Sequence, residues 1–173
     1  MPPLEEAGRL ADRPGAVLNL LAGQVYFGHR ASELRTLLGS CVGVTMWNAQ
    51  RRLGGMCHFL LPSRARAAGQ GLDARFGEEA FEMLVTSIRR AGTQPTDYEV
   101  HLYGGADTLP DSTGVKFNVG ERNIETGWSL IERHGFALAN VDVGDHVPRN
   151  VSLSLADGTV QMRRGANLKG RAA

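Results

Sequence analysis

The sequence lacks long hydrophobic runs, carries no excess of charge of either sign and has few cysteines. No stretch approaches the ~18 consecutive apolar residues that a membrane-spanning helix needs, so we expect no membrane insertion. Nineteen lysines and arginines stand against 18 aspartates and glutamates, and this balance gives no reason to expect nucleic acid as a partner. No Cys-x-x-Cys or His-x-x-x-His spacing indicates a metal site.

The first 15 residues contain acidic side chains and lack the apolar core of a secretory signal. We therefore expect a cytoplasmic protein whose two cysteines, Cys41 and Cys57, are free thiols. The length of 173 residues suits a single domain. We place this domain at residues 16–163, between a flexible leader at residues 1–15 and a flexible basic tail at residues 164–173.

Short apolar runs, separated by many of the 22 glycines, predict a strand-rich domain. Helical periodicity predicts one helix over residues 75–91, with Asp73 as its N-cap. A second helix is predicted over residues 121–134, and its inward side chains include Trp128. Because each helix has one apolar stripe, each should cover one face of a sheet in a layered α+β sandwich. The predicted strands are residues 17–28 with a break at Gly23, 34–47 with a turn at 39–43, 53–61, 98–103, 136–143, 151–156 and 159–163.

A cysteine flanked by glycines lies at the turn between two predicted strands. In Gly39-Ser40-Cys41-Val42-Gly43 the glycines permit a sharp bend that projects the sulfur and leaves room for a substrate. Successive backbone amides at such a turn can face a developing oxyanion. A free thiol has a pKa near ~8.5, so it needs a basic partner to become a nucleophile at neutral pH.

His58 is the candidate partner, on the strand predicted over residues 53–61. Strand alternation places His58 on the same face as Met56 and Leu60 and turns Cys57 to the opposite face. If this strand pairs with the one that follows Cys41, the imidazole can reach the thiol, and a Cys–His pair is the minimal unit for nucleophilic acyl transfer. The residues alone leave a structural interpretation open, because cysteines in apolar runs are usually buried and strand histidines are usually structural.

Two other chemistries fit the same residues less well. The Gly-x-nucleophile-x-Gly pattern at residues 39–43 matches a nucleophile elbow, but an elbow is followed by a helix and this turn is followed by a predicted strand. A metal site would need Cys41, Cys57, His58 and His101 together, yet Cys57 and His58 are neighbours that point to opposite faces of a strand.

Four blocks of sequence together resemble the chemoreceptor glutamine deamidase family, CheD. The blocks are residues 36–44, 54–62, 103–106 and 119–124, within a similarity that runs from about residue 17 to 163. The resemblance implies a single-domain three-layer α/β/β sandwich, similar to the deamidase domain of the cytotoxic necrotizing factor toxins. It implies Cys41 as nucleophile, His58 as base and Thr36 as third member of the site, with no cofactor and no metal.

The implied reaction converts glutamine side chains of methyl-accepting chemotaxis receptors to glutamate through a Cys41 thioester. The implied partners are the cytoplasmic helices of the receptors and a CheC-type phosphatase. The alternatives left open are a non-catalytic module that binds receptor or phosphatase, a general cysteine protease or esterase, and hydrolysis of receptor methyl esters. Residues 144–150 depart from the family pattern and receive no role. The residues that we assign to substrate or oxyanion binding are Ser40, Gly39, Gly55, Gly104 and Gly105.

Overall fold

The computed structural model describes residues 4–108 and 118–166. Their strands and helices follow the predicted order closely, with a short 3-10 helix at Pro95–Asp97 between α1 and β8. The elements are β1 Glu6–Ala7, β2 Val17–Leu20, β3 Gln24–Gly28, β4 Glu33–Leu38, β5 Val42–Asn48, β6 Leu53–Phe59, β7 Leu72–Asp73, α1 Gly77–Arg90, β8 Glu99–Gly104, α2 Val119–His134, β9 Ala137–Val143, β10 Arg149–Ser154 and β11 Val160–Arg164.

Two main sheets organise the domain. The larger sheet has five strands in the order β3-β6-β5-β8-β9, antiparallel except for the parallel pair β8–β9. The smaller has four strands in the order β11-β10-β4-β2, with β2 and β4 parallel. Strands β1 and β7 form a separate parallel pair. The four blocks of the family resemblance therefore contribute to β4, β5, β6, β8 and α2.

The five-stranded sheet is covered on both faces, which makes this a mixed α/β domain of layered elements. One apolar cluster joins its first face to α1 and α2, and it includes Cys57, Phe59 and Phe81. A second cluster joins its other face to the four-stranded sheet, and it includes Met56 and Leu38. Strand β6 is consequently buried along its whole length. The predicted alternation is confirmed, since Cys57 and Phe59 face the helices while Met56 faces the second sheet.

Two details of the helices differ from the prediction. The N-cap position of helix α1 is Phe76, whose side chain makes no capping hydrogen bond, and not Asp73, whose carboxylate is held by the backbone and side chain of Arg75. Trp128 is 39% exposed instead of inward, because Gly127 occupies the position closest to the sheet. A β-carbon at Gly127 would lie 2.9 Å from Leu102, so the helix approaches the sheet through a residue without a side chain.

The predicted leader contributes to the folded domain from Glu6 onward. Strand β1 pairs with β7, and the amide of Leu10 donates to the carbonyl of Val25. At the other end, strand β11 extends to Arg164, whose side chain contacts Asp142. The predicted tail lies mostly outside the described residues, and the division at 16–163 stays a prediction. In the described part of the chain, no helix has the length and apolar character needed to cross a bilayer.

The glycine loop after β8 packs so closely against α2 that a side chain cannot be added. Gly105 has φ +67°, and a β-carbon there would lie 2.3 Å from Ile124. Gly92 is a matched control, since it has φ +76° and nothing within 4 Å. We predict that G92A lowers the free energy of unfolding by about 1 kcal/mol, the cost of a left-handed residue. G105A adds overpacking and should lower it by about 3 kcal/mol in all, measured by urea unfolding. An equal loss of unfolding free energy in G92A and G105A would contradict the close packing of Gly105 against α2.

Candidate active site

A cleft of about 990 Å³ brings together residues that are far apart in sequence. Thr36 reaches it from β4, Cys41 from the turn before β5, and His58 from β6. Gly39 and Ser40, which the sequence assigns to substrate or oxyanion binding, line the same cleft. The site therefore lies where the turn between β4 and β5 passes from the four-stranded sheet to the five-stranded sheet.

Strand register places Cys41 and His58 on the same face of the five-stranded sheet. Gly43 pairs directly with His58, and Cys41 precedes Gly43 by two residues, which makes it a diagonal neighbour of His58 across the strand pair. Cys41 is partly buried, and it packs against the cluster between the sheets. The thiol and the imidazole share the cleft but form no hydrogen bond to each other.

Thr36 determines which ring nitrogen of His58 carries the proton. Its hydroxyl oxygen lies 2.8 Å from the carbonyl oxygen of Leu20 and 2.7 Å from Nδ1 of His58. A carbonyl only accepts, so the single hydroxyl proton goes to Leu20 and the hydroxyl oxygen must accept from Nδ1–H. The neutral imidazole then has a bare Nε2, which is the tautomer that a general base requires. Both Thr36 and His58 are at most 5% exposed, which keeps water from competing for these bonds.

Burial shifts the pKa of both reactive groups toward their neutral forms. Desolvation lowers the pKa of His58 to about 4, although the hydrogen-bonding interaction of the ring with the backbone carbonyl of Leu20, which accepts, opposes the shift. Desolvation also raises the pKa of the Cys41 thiol above its usual value. At pH 7 the resting site is therefore a neutral thiol beside a neutral imidazole. A charged pair would form only when a proton moves between them.

Three glycines from the predicted substrate set lie outside the lining of the cleft. Gly55 sits in the middle of β6, where a β-carbon would meet Met46 and Leu84, so it faces the helices and not the cleft. Gly104 and Gly105 lie behind the turn that carries Cys41. The amide of Gly105 donates to the carbonyl of Cys41 at 2.8 Å, and a β-carbon on Gly104 would lie 2.3 Å from that carbonyl oxygen. Gly104 and Gly105 therefore pack against the Cys41 turn and hold it in place.

Arg149, in the segment to which the sequence assigns no role, is completely buried. Its guanidinium pairs with Asp142 at 3.0 Å and donates to the carbonyl of Gly144 at 2.9 Å. It also reaches the carbonyl of Gly104 at 3.4 Å, next to the loop that supports the Cys41 turn. Strand alternation gave a signal for this residue, because Arg149 occupies the inward register of Val151 and Leu153 on β10.

Asn123 is a second buried polar residue beside the site that sequence reasoning left without a role. It is 0% exposed on α2, and its Nδ2 donates to the carbonyl of Ser40 at 3.2 Å and to that of Leu60 at 2.8 Å. It thereby connects the Cys41 turn to the end of the strand that carries His58. A polar side chain on the buried stripe of a predicted amphipathic helix was the available signal.

The cleft continues over outward-facing side chains of the four-stranded sheet. Register aligns Arg35 with Ser152, and Leu37 with Asn150 and Arg163, across neighbouring strands. Leu37 is 59% exposed, and Leu21 at the edge of the cleft is 67% exposed. This wall offers amide, guanidinium and apolar groups on one side of the reactive pair. In the described part of the chain, no group of three potential metal ligands occurs.

Comparison with known proteins places the chain in a family. The family model described as CheD chemotactic sensory transduction matches residues 60–164, more than half of the chain. A protein of Dechloromonas aromatica named probable chemoreceptor glutamine deamidase CheD 3 is 39% identical over 138 residues, which are 80% of this chain and 81% of that protein. The chain belongs to the CheD family. A CheD protein of Pseudomonas fluorescens, also named a probable chemoreceptor glutamine deamidase, is 42% identical over 146 residues, covering 83% of this chain and 82% of the relative.

The CheD family model begins after His58, so it matches the segments around Asn123 and Arg149 but not those of Thr36, Cys41 and His58. The roles of these three residues therefore depend on the geometry of the cleft. Among solved structures, the YfiH protein of Bacillus licheniformis has a TM-score of 0.46 at 13% identity, over 79% of this chain and 62% of that one.

The depressed pKa of His58 predicts a loss of stability in acid. In the unfolded chain the imidazole titrates near its ordinary pKa of 6.5, whereas in the folded chain its pKa is about 4. As the pH falls from 6.5 to 4, the unfolded state binds a proton that the folded state does not, so the free energy of unfolding falls by about 3 kcal/mol. H58Q should lack this acid-dependent loss of stability. The difference between the wild type and H58Q in the free energy of urea unfolding as a function of pH therefore isolates the contribution of His58. Parallel profiles would contradict the buried, neutral imidazole.

Proposed function

We propose that this chain is a protein-glutamine deamidase that acts on chemoreceptors, with Cys41 as nucleophile, His58 as general base and Thr36 as the residue that orients the base. The observation that carries the proposal is the Thr36 hydroxyl, which accepts from Nδ1 of His58 and leaves a bare Nε2 in the cleft that also holds Cys41. The relatives named as probable chemoreceptor glutamine deamidases supply the reaction and the substrate class.

The first half of the reaction forms a thioester. Nε2 of His58 takes the thiol proton while the Cys41 sulfur bonds to the carbon of the glutamine amide. The amide oxygen becomes an oxyanion, which the amides of Ser40 and Cys41 would stabilise by donating hydrogen bonds. The imidazolium then returns its proton to the nitrogen, the carbon–nitrogen bond breaks, and ammonia leaves.

The second half regenerates the thiol. The bare Nε2 of His58 takes a proton from a water molecule, whose oxygen attacks the thioester carbon. The carbon–sulfur bond breaks, the sulfur recovers a proton from the imidazolium, and a glutamate side chain remains. Water is the only co-reactant, and its two hydrogens and oxygen are divided between ammonia and the new carboxyl group.

The neutral resting pair suits this mechanism, because the enzyme separates charge only during reaction. Proton transfer would place an imidazolium next to a thiolate in a buried site, where opposite charges attract strongly. The absence of a resting hydrogen bond between Cys41 and His58 is compatible with this role, since such contacts often close only when substrate binds. An amide substrate that displaces water from the cleft would bring the pair together.

A protein substrate fits the extended wall of the cleft. The wall carries Arg35, Leu37, Asn150 and Arg163 on the outer face of the four-stranded sheet, where a polypeptide that presents a glutamine would pass. We include in the proposal the location that this substrate implies, which is the cytoplasm with its receptor helices, and binding of a CheC-type phosphatase. We also include a relationship to the deamidase domain of the cytotoxic necrotizing factors, supported by the order of helices, sheet and second sheet.

The two cysteines provide a matched test of the nucleophile. Cys57 is fully buried toward the helices, whereas Cys41 lines the cleft. Receptor cytoplasmic fragments treated with the enzyme should show the mass increase of amide-to-acid conversion at particular glutamines. We predict that C41A abolishes this change and that C57A preserves it within about threefold, since the remaining machinery is intact. Activity in C41A would refute the proposal, and receptor binding by the wild type without any mass change would identify a non-catalytic module.

Thr36 allows the orienting bond to be tested separately from the nucleophile. T36V keeps the shape of the side chain but removes the acceptor for Nδ1–H, so the imidazole loses its preferred tautomer and orientation. We predict that T36V lowers the deamidation rate by about 10²-fold. T36S keeps the hydroxyl and should remain within about fivefold of the wild type. Comparable rates for T36V and T36S would contradict the role of the hydroxyl.

A further inference from the structure

The turn that carries Cys41 is held through three consecutive carbonyl groups. The carbonyl of Gly39 accepts from the amide of Ala106 at 2.9 Å, and that of Cys41 accepts from the amide of Gly105 at 2.8 Å. Between them, the carbonyl of Ser40 accepts from the side chain of Asn123 at 3.2 Å. Asn123 is thus the one side chain in a set of supports that otherwise consists of backbone amides.

Each of these bonds orients the amide of the following residue. In a trans peptide unit the C=O of one residue and the N–H of the next lie in one plane and point in opposite directions. Asn123 lies on α2, which packs on the helix-covered face of the five-stranded sheet, so the Ser40 carbonyl points toward that face. The amide of Cys41 must then point away from α2, toward the face where His58 and the cleft lie.

Among the described residues, the amide of Cys41 has no hydrogen-bond partner that would hold it. Within residues 4–108 and 118–166, no backbone carbonyl accepts a hydrogen bond from the amide of Ser40 or Cys41. In a turn this close to a nucleophile, a free amide aimed at the cleft is the donor that an oxyanion requires. Its direction depends on the bond between Asn123 and the carbonyl of Ser40.

From these contacts we propose that Asn123 is a positioning residue that aims the amide of Cys41 at the oxyanion. The same Nδ2 group donates to the carbonyl of Leu60, two residues after His58, so one amide sets the position of the turn relative to the strand of the base. The inference rests on the proposed function for its substrate, and it concerns a residue that touches neither substrate nor the reacting atoms.

The other end of the Asn123 side chain argues against a purely structural role. Nδ2 must face the two carbonyls, because they only accept, and Oδ1 is then left buried. Among the described residues, none donates a hydrogen bond to Oδ1. An apolar residue or a fully satisfied one would suit a core position better, since an unpaired buried polar atom is unfavourable. The arrangement is explained if the donor function of Nδ2 is what the position requires.

The test separates the oxyanion from the thiol. N123D keeps the size of the side chain and removes both donors. Three quantities are compared with the wild type: kcat/KM for deamidation of a receptor fragment, the Kd of butyraldehyde, and the rate of Cys41 alkylation by iodoacetamide. Butyraldehyde resembles the glutamine side chain, and its thiohemiacetal with Cys41 places an oxygen where the oxyanion forms. Alkylation needs the thiol and no oxyanion donor.

We expect N123D to lower kcat/KM by about 10²-fold and to weaken butyraldehyde binding by a similar factor. Alkylation should stay within about twofold of the wild type, because the thiol and His58 are unchanged. The matched control is N48D, at an asparagine that is 3% exposed at the far end of β5 and whose Oδ1 accepts from the amide of Arg51. A carboxylate keeps that acceptor, so N48D should leave all three quantities unchanged.

Two results would overturn the inference. Unchanged butyraldehyde binding in a folded N123D protein would show that Asn123 does not aim the amide, and a parallel fall of all three quantities would show a general collapse of the turn. If N123D does not fold, N123A removes the same donors without a buried carboxyl group and must show the same separation. If the wild type does not deamidate receptor, the proposed function fails, whereas the butyraldehyde and iodoacetamide comparison still decides the role of Asn123.

Discussion

The hydroxyl group of Thr36 connects the packing of the two sheets to the protonation of the His58 ring. It accepts a hydrogen bond from Nδ1–H of His58, which lies in the five-stranded sheet, and it donates a hydrogen bond to the Leu20 carbonyl in the four-stranded sheet. The two sheets must pack face to face for both bonds to form, so the tautomer of the His58 ring depends on the apolar cluster between them. Because a hydroxyl has only one proton, the Leu20 carbonyl indirectly determines that Nδ1 of His58 carries the ring proton and that Nε2 does not.

A second set of contacts surrounds the turn that carries Cys41, the proposed nucleophile. The amide of Gly105 and the side chain of Asn123 donate to carbonyls of the Cys41 turn, and the buried Arg149 donates to the carbonyl of the neighbouring Gly104. None of these groups is reactive. They account for two of the four blocks of family resemblance, at residues 103–106 and 119–124, whose residue types suggest no chemistry by themselves. These two blocks stabilise the conformation of the Cys41 turn and contribute no reactive side chain.

Much of this arrangement could be predicted from the sequence, because alternation and turn residues are local properties. The strand order along the chain, the faces of Cys57 and His58, and the position of Cys41 at a glycine-flanked turn all follow from them. The supports could not be predicted, because they involve backbone groups that meet only through tertiary packing. The hydroxyl of Thr36 donates to the carbonyl of Leu20 and the side-chain amide of Asn123 donates to the carbonyl of Ser40, and no local pattern brings these groups together.

The most direct measurement of the central claim is the nitrogen NMR spectrum of the His58 ring at neutral pH, in protein labelled at histidine. We predict that the wild-type ring is a single neutral tautomer in which Nδ1 is protonated and Nε2 is bare. In T36V this preference for one tautomer should be lost. Proton exchange at Nδ1 should be slow, because the group is buried and bonded. A proton on Nε2, an averaged mixture of tautomers, or an imidazolium at pH 7 would contradict the account.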